Sequence, residues 1–216
     1  MNKIIIWGAT GQAIVLEELL SDTSIKIEAF FENDKSVGTP IKMVPIYYGE
    51  AGFDQWLATI KDSSAYYYLV AIGGNNGDVR SKIGKRLGEA GLQPYTAIHR
   101  TAFVAKNAII DEGTQILAGS NICAKVKIGK YCIINTAASI DHECVLGNNV
   151  HIGPGAKLAG MVEVEDNVFI GTNATILPRM RIGKDAVVGA GAVVIKNVEA
   201  NSVVAGNPAR IIRTVE

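Results

Sequence analysis

The chain has 216 residues, 48% of them hydrophobic, with 21 basic and 21 acidic side chains and a formal net charge of zero. That length suits one large domain or two small ones, and the apolar share is that of a packed globular protein rather than a disordered one. A balanced charge excludes the basic field that recruits nucleic acid or an anionic membrane surface, so neither is expected as a partner.

Lys3 to Trp7 reads as a buried strand, four apolar residues after one charge. The run ends at Gly8, too short for a signal segment or a membrane span, so a cytoplasmic protein without membrane insertion is expected. Gly8-Ala9-Thr10-Gly11 turns the chain into a helix over about 12–20, with Ala13, Ile14, Leu16 and Leu20 as its apolar residues and Glu17 and Glu18 left to solvent. A second strand over about 26–31 ends in the polar Glu32-Asn33-Asp34-Lys35, and Pro40 and Pro45 mark loop or edge structure. Phe53, Trp56, Leu57 and Ile60 have the spacing of a short helix. Tyr66 to Ile72 is another strand, closed by Gly73-Gly74-Asn75-Asn76-Gly77. Val79, Ile83, Leu87 and Ala90 mark one face of a further helix, which Gly91 caps. Strands alternating with helices predict a small parallel sheet of βαβ type, a first domain over 1–94.

The second domain, 95–216, has a different period. From Ile98 every sixth residue to Val194 is a branched aliphatic, seventeen in succession, and the residue four after each is usually small or compact. A Gly often follows the aliphatic, as in Ile128-Gly129, Ile152-Gly153 and Ile170-Gly171. This is a hexapeptide repeat, the signature of a parallel β-helix. Three hexads make one triangular coil, so residues eighteen apart stack in neighbouring coils about 4.8 Å apart. The cysteines have no metal-ligand spacing, and Cys132 and Cys144 fall at inward positions, which fits packing thiols in a reducing compartment. At the end, Val203 to Arg210 leaves the repeat as a terminal cap, with Arg210 placed to meet a phosphate.

Candidate chemistry lies on the corners of the prism. Asp141-His142-Glu143 puts an imidazole and a carboxylate away from the core, a base near neutral pH beside a group that raises its basicity. One coil either way from His142 are Ala124 and Gly160; the small residues leave room for a substrate, and the Gly160 N–H could meet a developing oxyanion. His151 is half a coil away on another side of the prism, so the two histidines can share a site only across a subunit interface. Trimerisation, common in such prisms, would supply it. His99 opens the repeat and reads as structural. The three histidines have phases that do not converge, so no metal is expected. In the first domain the Gly8-x-x-Gly11 turn directs N–H groups at an anion site on a helix N-terminus, and Glu32-Asn33-Asp34 follows the next strand where ribose or base recognition occurs. The full dinucleotide glycine pattern is missing, so a nucleotide-linked sugar fits better than NAD.

Taken together, the Gly8–Gly11 turn, Ala71-Ile72-Gly73 with Arg80 downstream, Asp141-His142-Glu143-Cys144, the 153–160 segment and the Gly206-x-Pro208-Ala209-Arg210 ending resemble the sugar acyltransferases of the NeuD/PglD type. The resemblance covers nearly the whole chain. It implies a small nucleotide-sugar-binding, Rossmann-like α/β domain followed by a left-handed parallel β-helix that uses acetyl-CoA. It also implies His142 as general base, Glu143 as the group that increases its basicity, and His151, Gly160, Thr172 and Ala190 as acetyl-CoA contacts. Thr10, Gly11, Gln12, Glu32, Asn33 and Gly73 become nucleotide-sugar contacts. The chain departs from the family at Gln12-Ala13, where His-Gly is frequent, and at Glu32-Asn33, where two aspartates are frequent. The expected function is acetyl-CoA-dependent N-acetylation of the 4-amino group of a UDP-linked 4-amino-4,6-dideoxy sugar by a homotrimer with intersubunit sites. The competing readings are an O-acetyltransferase of the sialic acid type and a non-catalytic hexapeptide scaffold.

Overall fold

The computed structural model describes residues 2–214; Met1, Val215 and Glu216, the outermost residues of the two expected domains, lie outside that range. The described residues gather into two compact units. One runs to Ile72 and resumes over Val79–Thr96, and the other comprises Gly73–Asp78 and the chain from Ala97 onward. The sequence boundary at Pro94 thus moves to Thr96, and a short segment from within the first stretch groups with the repeat.

The first unit is a sheet of five parallel strands, β1 (Lys3–Trp7), β2 (Lys26–Glu32), β3 (Ile46–Tyr48), β4 (Tyr66–Val70) and β5 (Gln93–Pro94), in the order β3-β2-β1-β4-β5. The helices are α1 (Gly11–Ser21), α2 (Gly49–Leu57) and α3 (Gly77–Glu89). Ile4, Ile5, Ile6, Phe30 and Phe31 are wholly buried, as expected for central strands covered on both faces. Around β1 and β2, Trp7, Phe31, Phe53 and Trp56 pack with ring centroids 5.4 to 5.9 Å apart. The edge strand β5 has no counterpart in the sequence, whereas β3 agrees with the edge structure that Pro45 marks: it begins directly after Pro45, whose carbonyl accepts from the Phe30 N–H. In α1 the buried face is Ala13, Leu16, Leu19 and Leu20, whereas Ile14 is 57% exposed. Residues 13–16 are all apolar, so spacing alone left the phase of that helix open. In α2 the helix starts at Gly49 and stops before Ile60. The strand order departs in opposite directions from β1, so the crevice beyond the carboxyl ends of β1 and β4 is the switch point at which open α/β sheets bind ligands.

The second unit is a left-handed parallel β-helix. Its strands run from β6 (Ala97–Ile98) to β22 (Val193–Val194), each two residues long with the predicted aliphatic second. They form three parallel sheets in which the strands as far as Thr175–Ile176 pair eighteen residues on, as in Asn121↔Ser139, Lys127↔Val145 and Ile133↔His151. The inward positions are dry: Val150, Ile152, Ala156, Cys132 and Cys144 are fully buried. Each corner turns through one residue in the left-handed region, recurring every sixth position from Gly113 to Gly191. Side chains tolerate this conformation poorly apart from Asn and Asp, and Asn149, Asn167, Asn173 and Asp185 occupy four of those positions. Beyond Val194 the partner spacing shortens, with Val203 beside Val187. β23 (Ser202–Ala205) then turns back into the antiparallel β24 (Arg210–Thr214), which closes the repeat as expected. Arg210 is exposed, its guanidinium on the carbonyl of its own neighbour Ala209.

Candidate active site

Two of the three corners of the prism are narrowed by glycine. After the sheet that contains His151 and the sheet that contains Lys127, a Cβ at Gly153 would lie 2.7 Å from the Ile170 carbonyl oxygen, and one at Gly129 would lie 2.6 Å from that of Gly147. The corner after the sheet that contains Ser139 has no such glycine. Cys123, Asp141, Ala159 and Leu177 stand at this corner instead.

His142 sits on it, following the strand Ser139–Ile140. Asp141 Oδ1 accepts from the His142 N–H at 2.7 Å, the Glu143 N–H donates to the Ala124 carbonyl, and the Met161 N–H donates to the His142 carbonyl. The backbone of the turn is therefore tied to the coils on both sides. The imidazole is half exposed, with Nδ1 3.2 Å from Glu143 Oε2. A carboxylate only accepts, so Nδ1 carries the proton and Nε2 presents its lone pair. Gly160 lies directly against the ring: a Cβ built there would come 2.5 Å from Nε2 and 2.6 Å from Cε1. The predicted neighbour is thus found, with a steric reason for glycine beside the electrostatic one. Burial pushes the Cys144 thiol up to about 11, so it stays protonated at neutral pH and donates to the Ala159 carbonyl at 3.1 Å. It is a packing residue and no rival nucleophile.

His151 is on a different sheet, as its phase requires, and it is 6% exposed. Asn135 Oδ1 accepts from the Thr136 N–H, so its amide nitrogen is the group 3.2 Å from His151 Nε2, which must accept. Nδ1 then donates to the Gly74 carbonyl at 3.3 Å, and Phe169 packs edge-on to the ring. Gly73 is alongside, where a Cβ would be 3.6 Å from His151 Cε1. Gly77 approaches so closely that a Cβ would fall 2.8 Å from the Asn149 carbonyl oxygen. These glycines let the segment Gly73–Asp78 lie on the coil. Asn135 was absent from the sequence reading because nothing periodic links it to His151, although the lateral pairing Ile133↔His151 would have pointed to it.

Thr172 and Ala190 are exposed and stack one coil apart, and their N–H groups, like that of Gly160, make no hydrogen bond among the described residues. The equivalent N–H makes no hydrogen bond among the described residues at Ala118 and Ala124 as well, whereas at Lys130, Thr136, His142 and Asn148 a side-chain oxygen accepts from it. His99 accepts from the Thr101 N–H at 3.1 Å and is buried, a structural role.

In the first unit, Gly8 enters the turn at φ 107 with a would-be Cβ 2.5 Å from the Ala71 carbonyl oxygen, which only glycine permits. Thr10 and Gly11 are exposed at the start of α1, the Thr10 side chain making no cap bond, and Gln12 is half-buried beside them. The Glu32 carboxylate accepts from the N–H groups of Ala9 at 3.0 Å, Asn33 at 2.7 Å and Asp34 at 3.3 Å. It ties the loops after β1 and β2 together, while the Asn33 side chain remains exposed. Arg80 is 1% exposed and donates to the Ile72 carbonyl at 3.0 Å, bracing the end of β4. Apart from the resemblance, no sequence pattern marked that role, since a lone arginine on a helix gives no sign of burial. Among the described residues no cluster of three or more His, Cys, Asp or Glu is arranged to hold a metal ion, and no helix is long and apolar enough to cross a membrane.

Comparison with known proteins adds the following. The model of the bacterial transferase hexapeptide (six repeats) matches residues 125–160 and 161–196. A crystal structure of PerB from Caulobacter crescentus in complex with CoA and GDP-perosamine is 32% identical, with TM-score 0.87, 99% of this chain and 98% of that chain being covered. The acetyltransferase domain of PglB from Neisseria gonorrhoeae, in complex with acetyl coenzyme A, is 28% identical with TM-score 0.85 over 98% of this chain and 99% of its own. WeeI from Acinetobacter baumannii is 30% identical with TM-score 0.83 over 97% and 99%.

Proposed function

We propose a substrate and a chemical step for this chain, which belongs to the NeuD/PglD-type family of sugar acyltransferases and is an acetyl-CoA-dependent sugar acetyltransferase. The reaction is N-acetylation of the 4-amino group of a UDP-linked 4-amino-4,6-dideoxy sugar. The observation that carries the reading is the imidazole of His142, with Nδ1 engaged by Glu143 and Nε2 set over Gly160. Nε2 takes a proton from the sugar amine as its nitrogen bonds to the thioester carbon. The C–S bond then breaks, and the proton passes from the imidazolium to the leaving thiolate. Glu143 stabilises the imidazolium between the two transfers, and the Gly160 N–H receives the developing oxyanion. The free N–H groups of Thr172 and Ala190 suit the amide carbonyls of an extended pantetheine arm. The nucleotide-sugar site is the switch-point turn of Thr10, Gly11 and Gln12 with Asn33, ordered by Glu32.

Support for an amine acceptor comes from the C. crescentus relative, a GDP-perosamine N-acetyltransferase whose histidine-to-alanine variant has been solved in complex with CoA and GDP-perosamine. The test is release of free thiol from acetyl-CoA with UDP-linked and GDP-linked 4-amino-4,6-dideoxyhexoses, and with free and CMP-linked sialic acid. Fast release with the UDP-linked amine is expected. Release with the GDP-linked amine alone would overturn the nucleotide assignment, and release with sialate alone would overturn the amine. The site is read as intersubunit in a homotrimer; the ring of His151, 6% exposed with both nitrogens engaged within its own chain, would have to give up its Gly74 bond to meet the thioester of a neighbouring copy. Light scattering on the active enzyme is expected to give the mass of three chains, and an active monomer would refute the shared site.

A further inference from the structure

Glu143 has two polar neighbours, one on each carboxylate oxygen. Oε2 faces His142 Nδ1 at 3.2 Å, and Oε1 lies 3.7 Å from Nζ of Lys125, one coil earlier. Lys125 and Glu143 both occupy the left-handed position of the corner, each at φ 59, so they stack directly. The Lys125 backbone is fixed by the Asn107 side chain, whose Oδ1 accepts from its N–H at 3.0 Å. On the same turn as the imidazole are Asp141, Glu143 and the Cys144 thiol; the preceding coil brings Lys125 and the Cys123 thiol. The following coil brings Gly160 and Met161, which carry no charge, and Arg179 stands a coil further on. In the column of left-handed positions Lys125 is the cation one coil from Glu143, and Lys106 and Arg179 each stand two coils from this turn.

We propose that Lys125 is a positioning residue for acetyl transfer: it orients the Glu143 carboxylate onto His142 Nδ1 and offsets part of its negative charge. The proposal rests on the reading of His142 as the base. An uncompensated carboxylate favours the charged form of an imidazole it faces, and a cation on its second oxygen opposes that penalty on the free base. With Lys125 on the second oxygen, orientation is kept and that penalty is reduced.

The test is the pH dependence of kcat/KM at low ionic strength for the unmodified enzyme, Lys125→Met, Lys125→Glu and Lys125→Arg, with His142→Ala measured in parallel. In Lys125→Met the acid limb is expected to move to higher pH by about 0.2–0.6 unit, the size of an exposed ion-pair effect. It should move further in Lys125→Glu and stay in place in Lys125→Arg, with KM for acetyl-CoA unaltered throughout. Added salt should bring the profiles together. A loss of kcat in Lys125→Met and Lys125→Glu without displacement of the limb would reduce Lys125 to a structural role and overturn the proposal. Wild-type turnover by His142→Ala would instead overturn the base assignment on which it rests.

Discussion

His142→Ala is expected to lower kcat for acetyl transfer by about 10²–10⁴-fold, the usual contribution of a positioned general base, with little change in KM for either substrate. The fold should survive, because the side chain is 53% exposed and holds no part of the core. Its backbone bonds to Asp141 and Met161 do not depend on the ring. Single-turnover measurement of thiol release, alongside circular dichroism and light scattering, separates the two effects. A non-catalytic scaffold predicts no loss at all, so unaltered turnover in a folded variant would remove the enzymatic role of this corner.

Gly160→Ala should be nearly as damaging, for a steric reason. The backbone at Gly160 lies outside the left-handed region, so alanine brings no conformational strain. Its Cβ would, however, stand 2.5 Å from Nε2, well inside contact distance, and the imidazole must swing away. Moving a half-exposed ring costs little, and the unfolding free energy should stay within about 0.5 kcal/mol of the parent. Displacing the base by about 1 Å from its working position is expected to cost on the order of 10²-fold in kcat/KM. Denaturant unfolding and initial rates on the same preparation check both halves. Full activity in Gly160→Ala would mean that the proton is not transferred at Nε2 in the position described.

The repeat was the most legible part of the chain. All seventeen aliphatics fall at the second residue of their strands, because a fixed coil of eighteen residues converts sequence separation directly into spatial position. The same arithmetic placed Gly160 against His142 and sent His151 to another sheet. The first unit was legible in outline only. Its central strands announced themselves as apolar runs. The phase of α1 went astray at Ile14 and Leu19, and the strand after Pro45 was legible only as loop or edge structure, since short half-buried strands have no strong period. Glu32 was expected at the ligand; its carboxylate is occupied by three backbone N–H groups, and it is the bonds between loops, not residue type, that reveal this.

What the sequence determined by itself was the coil, its register and the corner on which a histidine and a carboxylate stand. Backbone pairing at a constant period is a local rule repeated, and a local rule is readable without a partner. What only the tertiary structure decided was the state of the polar groups: that Nδ1 of His142 carries the proton, that Glu143 is shared with Lys125, and that His151 is buried against Asn135 and the Gly74 carbonyl. Gly74 and His151 are 77 residues apart and no period joins them. Hydrogen bonds act over about 3 Å, so such a partner becomes visible only when folding has brought it there.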